Sequence, residues 1–313
     1  DQLDLFTSDM SRLHICAPDN LVAVTEIIPL VVDAVTKLVR TGQTYEVDGD
    51  IYLSIEKYLD RLTIPLEEAF IIFGERGGDP SRPNKKHPLD PVLWLTAKPG
   101  VPSWSSPWGQ GRPGWHIECS VISLFFLCGE KYLDHNHDQQ HGQYLIDLQG
   151  GGTDLIFPHH FMSAIQAEAL TGATFARSYL HVGMIGLDGE KMSKSKGNLV
   201  FVSKLIEDGV DPAAIRLALM DHHYSQELMW DAGILKRYAN LLQDLREVLG
   251  SGFTAPSSNL IQSIVDAMAD DLNTPLVIKY LEQWIIESKV GESDVDEAGQ
   301  VARALDSLLG LAL

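Results

Sequence analysis

Cys119 in "GWHIECS" and His159 in "FPHHFMS" are side chains whose types suit metal chemistry. Zinc takes thiolate and imidazole ligands, and a catalytic zinc keeps one position open for substrate or water. By type and spacing alone each has an ordinary alternative. A lone cysteine is usually a small buried hydrophobe, and a lone histidine a hydrogen-bonded core residue. His116 and His160 are further candidates. His135, His137 and His141 in "DHNHDQQH" read as an exposed polar loop, with adventitious metal binding as the outside option.

Two other stretches could hold anions or nucleotides. "GEKMSKSKGN" at 189–198 gathers Lys191, Lys194 and Lys196 among glycines and serines. Glycines let backbone N–H groups approach an anion, and lysine is a mobile point charge suited to phosphate. This would make a loop that grips a triphosphate and closes over it. Composition alone favours the plainer reading, a solvated lysine loop. "DLQGGGTDLIFP" at 147–158 reads as a strand running into three glycines, where a ligand can come close to backbone. Asp154 follows and could bind a ribose hydroxyl or an amino group; a plain strand-to-loop turn is the alternative.

The bulk composition narrows the partners. The chain has 313 residues, 45% of them hydrophobic, which allows about two domains with real cores. A net charge of -19 argues against a broad nucleic-acid footprint, which shows as a basic face. It fits small-molecule substrates and no nucleic acid partner. No run of about 20 apolar residues suggests a membrane span. Three sparse cysteines, Cys16, Cys119 and Cys128, are no disulfide framework. With no signal-peptide pattern, these point to reduced thiols in a cytoplasmic protein, expected to be a monomer. The chain does not begin with Met, so it reads as a fragment or processed piece.

Elements must position these residues. "VTEIIPLVVDAVTKLVRTG" has helical spacing and ends at Gly42. "YEVDGDIYLSI" carries an Asp-Gly hairpin signal. Residues 74–114, rich in Gly, Pro and Trp, read as a long irregular surface stretch. "WHIECSVISLFFL" reads as a buried helix, "YLIDLQGGG" as a strand and "SAIQAEALTG" as a helix ending at Gly172. From about residue 203 the pattern is helical to the end. The coarse expectation is an α/β domain over 1–200 and an all-α helical bundle over 201–313.

Together the motifs carry a resemblance. "KMSKS" at 191–195 is similar to the signature loop of class I aminoacyl-tRNA synthetases. "GRPGWHIECS" at 111–120 and "GGGTDLIFPHH" at 150–160 resemble the cysteinyl-tRNA synthetase group within that class. The likeness runs to about residue 240 with the motifs in the family's order. It implies a partial Rossmann nucleotide-binding domain with a connective insertion at about 41–112. It also implies one zinc ion (Zn2+) held by Cys119 and His159, which binds the thiol of L-cysteine as thiolate. Serine has no soft sulfur, so such a bond discriminates where shape alone would not. By the same resemblance Trp115 packs beside the cysteine, while Gly152, Thr153 and Asp154 line the adenylate. Ile185 meets the adenine, and Lys191 and Lys194 attend the phosphates, Lys194 stabilising the departing pyrophosphate. ATP with Mg2+ is implied, with no carboxylate ligand assignable.

Two branches share these motifs: the cysteinyl-tRNA synthetases, and ligases that pass cysteine to the amine of glucosaminyl-inositol in mycothiol biosynthesis. The chain looks more like the ligases. The synthetase pattern "HHENE" places a further zinc-binding glutamate where Ser163 stands. "ERGGDP" at 75–80 resembles a ligase signature. The length after Asn198 accommodates a helical bundle but no anticodon-binding domain. Nor does the acidic charge help to hold tRNA. The alternatives are a truncated cysteinyl-tRNA synthetase and a non-catalytic zinc- or nucleotide-binding remnant. The family's "HIGH" signature and the zinc cysteine before it are missing; "HICA" at 14–17 lacks the glycine and second histidine. Both are expected upstream of Asp1. "CGEKYLDHNHDQQHGQYL" at 128–145 is longer than either branch leads one to expect.

Overall fold

The computed structural model describes residues 2–133, 144–192, 196–251, 253–290 and 297–313. His135, His137, His141 and Lys194 therefore lie outside the described residues. In chain order the first elements are α1 (Gln2–Arg12), α2 (Ile28–Arg40), β1 (Thr44–Val47), β2 (Asp50–Leu53) and α3 (Leu66–Glu75). Next come β3 (Val92–Thr96), β4 (Trp104–Ser106), β5 (Gly109–Pro113), α4 (Trp115–Cys128), β6 (Tyr144–Gly152), α5 (Phe161–Thr171) and β7 (Thr174–Val182). The chain continues through β8 (Ile185–Leu187), β9 (Glu190–Lys191), α6 (Val202–Glu207), α7 (Pro212–Met220) and β10 (Leu228–Trp230). It closes with α8 (Ala232–Ser251), α9 (Ser257–Ala269), α10 (Thr274–Val290) and α11 (Ala298–Leu309). The fold is mixed α/β with a helical C-terminal region.

Two compact units interleave along the chain. One is Asn20–His181; the other joins Asp1–Asp19 to Val182–Leu313. In the first, β6 and β7 pair as a two-stranded sheet and α5 connects them, the strand–helix–strand remnant of a Rossmann layer. The helices α2, α4 and α5 share a core of Val31, Val35, Leu38, Ile117, Val121, Leu124 and Ile165. Helix α4 is apolar on nearly every face, as a helix buried between layers must be.

The stretch 74–114 is not irregular, contrary to the sequence reading. It supplies β3, β4 and β5 of a five-stranded antiparallel sheet in the order β1-β2-β3-β5-β4. Its glycines are close-packing residues, not only loop residues. A Cβ at Gly111 would meet the Leu95 carbonyl oxygen at 2.3 Å. Buried Trp94 and Leu93 anchor the sheet on the helices. The Asp48-Gly49 turn between β1 and β2 forms as expected, both residues at positive φ (52° and 89°).

In the second unit, α7 to α11 enclose Leu217, Tyr238, Leu245, Ile264, Leu281, Trp284 and Leu305. The N-terminal segment is stitched to these helices. Arg216 donates to the carbonyl oxygens of Leu13 (2.5 Å) and Leu309, and Asp9 accepts from Ser203 N at 3.1 Å. "HICA" follows the end of α1 and is not helical. β8 pairs in parallel with β10 and antiparallel with β9.

One buried carboxylate holds the sheet unit's loops. Asp90 is fully buried and accepts from Ile55 N (2.9 Å), His87 N (2.9 Å) and Tyr45 Oη (2.6 Å). Asp90→Ala would orphan those donors, and the expected loss is about 3 kcal/mol of unfolding free energy in urea denaturation. A loss below about 1 kcal/mol would contradict this role.

Candidate active site

The site begins where β5 turns into α4. Gly114 makes that junction possible, since a Cβ there would lie 1.9 Å from the Val92 carbonyl oxygen. The first turns of α4 then present Trp115, His116 and Cys119. Trp115 and Cys119 are four apart and share a helix face. Opposite, β6 ends in its three glycines, and a tight turn (Thr153–Leu155) follows. An irregular turn, Ile156–His160, then carries both histidines into α5. A Cβ at Gly151 would sit 2.7 Å from the His160 ring, so only glycine lets that ring lie against the strand end.

Two paired imidazoles join these pieces. His116 Nδ1 lies 3.0 Å from His159 Nδ1, both rings buried. The Trp115 ring sits 5.2 Å from the His159 ring. If His159 donates from Nδ1 to His116, its Nε2 lone pair is left for a ligand. His159 makes no other hydrogen bond among the described residues. One residue on, His160 Nδ1 meets His181 Nε2 at 2.8 Å, and its Nε2 meets Gln149 Nε2 at 3.2 Å. Ser163 is buried at the α4–α5 contact, its hydroxyl donating to the His116 carbonyl oxygen at 3.4 Å. Ser120 Oγ donates to the carbonyl oxygens of His116 and Ser163, each at 3.0 Å. Arg76 fixes the turn from outside, donating to the carbonyl oxygens of Asp154 and Phe157.

Burial sets the charge states. It holds His159 below its ordinary value, and brings His116 down to about 3 with help from His159. It also lowers His160 to about 4, aided by His181 and His159. Burial and then the Glu118 carboxylate push the Cys119 thiol up to about 11, so a thiolate there needs a cation beside it. Glu118 is itself raised to about 7 by burial, moderated by Arg112.

An imidazole with a fixed Nδ1 and a half-buried thiol are donor types that zinc accepts. Among the described residues no three His, Cys, Asp or Glu side chains gather as a metal-binding group. Gly152, Thr153 and Asp154 lie together at the end of β6, half-buried. Ile185 and Lys191 belong to the other unit, in β8 and β9, the lysine exposed. Motif reading gave His116 no partner and Arg76 no contact. Both act across more than 40 residues of chain, where no local spacing could reveal them.

The lowered histidines make the protein acid-sensitive. Above pH 6.5 both folded and unfolded chains keep them neutral. Below it only the unfolded chain binds protons, so stability falls with pH until the folded His116 titrates near 3. Glu118 works oppositely between its ordinary 4.5 and about 7, which makes a single-site comparison necessary. His116→Phe should melt with a smaller drop between pH 7 and pH 5 than the parent. An equal drop in thermal melts would contradict the assignment.

Residues 1–240 match the family model described as the tRNA synthetases class I (C) catalytic domain. An L-cysteine:1D-myo-inositol 2-amino-2-deoxy-alpha-D-glucopyranoside ligase of Streptomyces coelicolor is 43% identical, over 99% of this chain and 73% of its own length. The protein of the same name from Streptomyces avermitilis is 44% identical over the same shares. That of Gordonia bronchialis is 43% identical over 100% of this chain and 74% of its own length. Among solved structures, Mycobacterium tuberculosis methionyl-tRNA synthetase bound by methionyl-adenylate aligns with TM-score 0.60 at 16% identity. It covers 98% of this chain and 78% of that one, a likeness of fold. The chain therefore belongs to the class I (C) tRNA synthetase catalytic-domain family and, within it, to the L-cysteine:1D-myo-inositol 2-amino-2-deoxy-alpha-D-glucopyranoside ligases.

Proposed function

We propose that this ATP-dependent ligase activates L-cysteine as cysteinyl-AMP and transfers it to the amine of glucosaminyl-inositol, a step of mycothiol biosynthesis. The observation that carries the reading is the junction of Trp115, His116 and His159 beside the glycine end of β6. It joins an aromatic wall, a fixed imidazole and an open backbone edge in one place. The high identity to ligases of that name supports the same substrates.

In the first step a carboxylate oxygen of cysteine attacks the α-phosphorus of ATP, and pyrophosphate leaves. Little covalent help is needed, so positioning and charge carry the rate. Trp115 covers the cysteine; Gly152, Thr153 and Asp154 hold the adenylate. Ile185 takes the adenine, and Lys191 and Lys194 the phosphates, with magnesium on ATP. Cys119 and His159 would hold zinc together with a further protein donor, leaving a position for the substrate sulfur. A zinc ion held there would supply a soft Lewis acid that favours a thiolate over a serine hydroxyl. In the second step the amine nitrogen attacks the cysteinyl carbonyl carbon, an amide forms, AMP leaves and one proton is released. A sugar amine is partly neutral near pH 7, since α-amino groups titrate at roughly 8. We place the enzyme in the cytoplasm, as a monomer with no nucleic acid partner.

Cys119→Ser is expected to lower bound zinc and to reduce cysteine-dependent ATP/pyrophosphate exchange by more than about 100-fold. Full exchange without zinc would contradict the metal assignment. Charging of tRNA with cysteine, and no product from glucosaminyl-inositol, would replace the transfer reading with the synthetase one.

A further inference from the structure

The "ERGGDP" loop closes one side of a cavity of about 500 Å3, most of whose lining has no part in the proposed adenylation step. Strands β3 and β5 form another side, and Trp115 and His116 line it as well. All of it lies within the Asn20–His181 unit.

The loop is built rigidly for a surface feature. Gly77 has positive φ (86°), and a Cβ at Gly78 would strike the Phe73 ring at 2.5 Å. Asp79 accepts from Tyr52 Oη at 2.5 Å and from the buried Lys85 Nζ at 2.7 Å. Arg76 reaches across to the carbonyl oxygens of Asp154 and Phe157, which ties the loop to the turn that carries His159. A wall fixed this firmly suits a site whose geometry matters.

The charges select the ligand's chemistry. Of the groups lining the cavity, Arg76, Arg82 and Asp79 are already engaged: Arg82 binds the Asp50 carboxylate and the Val47 carbonyl oxygen. The Lys98 and Arg112 side chains enter no hydrogen bond or ion pair among the described residues, and the Arg112 charge acts on the nearby Glu118 carboxylate. The cavity thus offers uncommitted donors and positive charge, and its one lining carboxylate is taken. An ammonium finds no free carboxylate among the lining residues, whereas hydroxyl oxygens find donors, and nearby cations favour the neutral form of an amine. The exposed Trp115 ring complements this with aromatic surface of the kind that packs on sugar faces. The volume falls within the roughly 300–1,000 Å3 range of small-molecule pockets and leaves room for two linked rings.

We propose that this cavity is the acceptor compartment, which takes an amine-bearing sugar polyol with Arg112 and Lys98 donating to its hydroxyl oxygens. The inference rests on the proposed transfer reaction, in which Trp115 borders the cysteine. An acceptor seated here would then lie beside the carbonyl it attacks, in its reactive neutral form.

Steady-state kinetics with glucosaminyl-inositol provide the test. Arg112→Gln and Lys98→Gln should each raise the acceptor KM about tenfold more than they shift the KM for cysteine in ATP/pyrophosphate exchange. Ser81 lines the same cavity and is exposed, so Ser81→Trp fills the space without disturbing the core, and it should show the same selective rise. If none of the three moves the acceptor KM, the assignment fails. If they raise the KM for ATP instead, the cavity is an anion site and the assignment also fails. Parent enzyme that exchanges pyrophosphate yet makes no product from glucosaminyl-inositol overturns the transfer reading itself, and this compartment with it.

Discussion

The contact on which the rest of the site depends is the buried pair of imidazoles, His116 and His159, with their Nδ1 atoms 3.0 Å apart. It is a hydrogen bond between two neutral rings, kept neutral because burial disfavours either charge. One ring starts α4 and the other ends the turn after β6, so this bond sets how far apart the two elements stand. It also decides which nitrogen of His159 faces outward. The serines beneath, Ser120 and Ser163, fix the same helix pair through the backbone of residue 116. A histidine oriented in this way suits the ligand role proposed for it, because an imidazole that can rotate or change tautomer is a weak ligand.

The second constraint is backbone proximity. Gly114 and Gly151 are places where a Cβ would collide, with the Val92 carbonyl oxygen in one case and the His160 ring in the other. Arg76 adds a third fixed point by drawing the "ERGGDP" loop against the carbonyls of Asp154 and Phe157. Through it the proposed amino-acid pocket, adenylate edge and acceptor cavity share one rigid frame. That arrangement suits a two-step reaction in which the reactive intermediate must meet its acceptor before water does.

Much of this was readable from the chain. Apolar periodicity located α2 and the helices after residue 203, Asp48-Gly49 marked its hairpin, and the three short motifs identified the family. The five-stranded sheet was harder to see. Its strands β4 and β5 are short and hold mainly Trp, Ser, Gly and Pro with Gln110 and Arg112, which read as loop until the pairing of β5 with β3 and β4 is known. The interleaved units were equally hidden, since what binds α1 to the helical unit is Arg216 and Asp9 reaching across some 200 residues. Ser163 acquired a different meaning in three dimensions. In the sequence its type favoured one of two branches of a family; in the fold it is a small buried residue at the contact of α4 and α5.

The central claim is that the turn around His159 reads substrate sulfur directly. Cobalt(II) in place of zinc tests it in one spectrum. Adding L-cysteine should strengthen the sulfur-to-cobalt charge-transfer absorption, while adding L-serine should leave it unchanged. A cobalt-loaded protein whose spectrum ignores cysteine, or answers serine equally, would contradict the account.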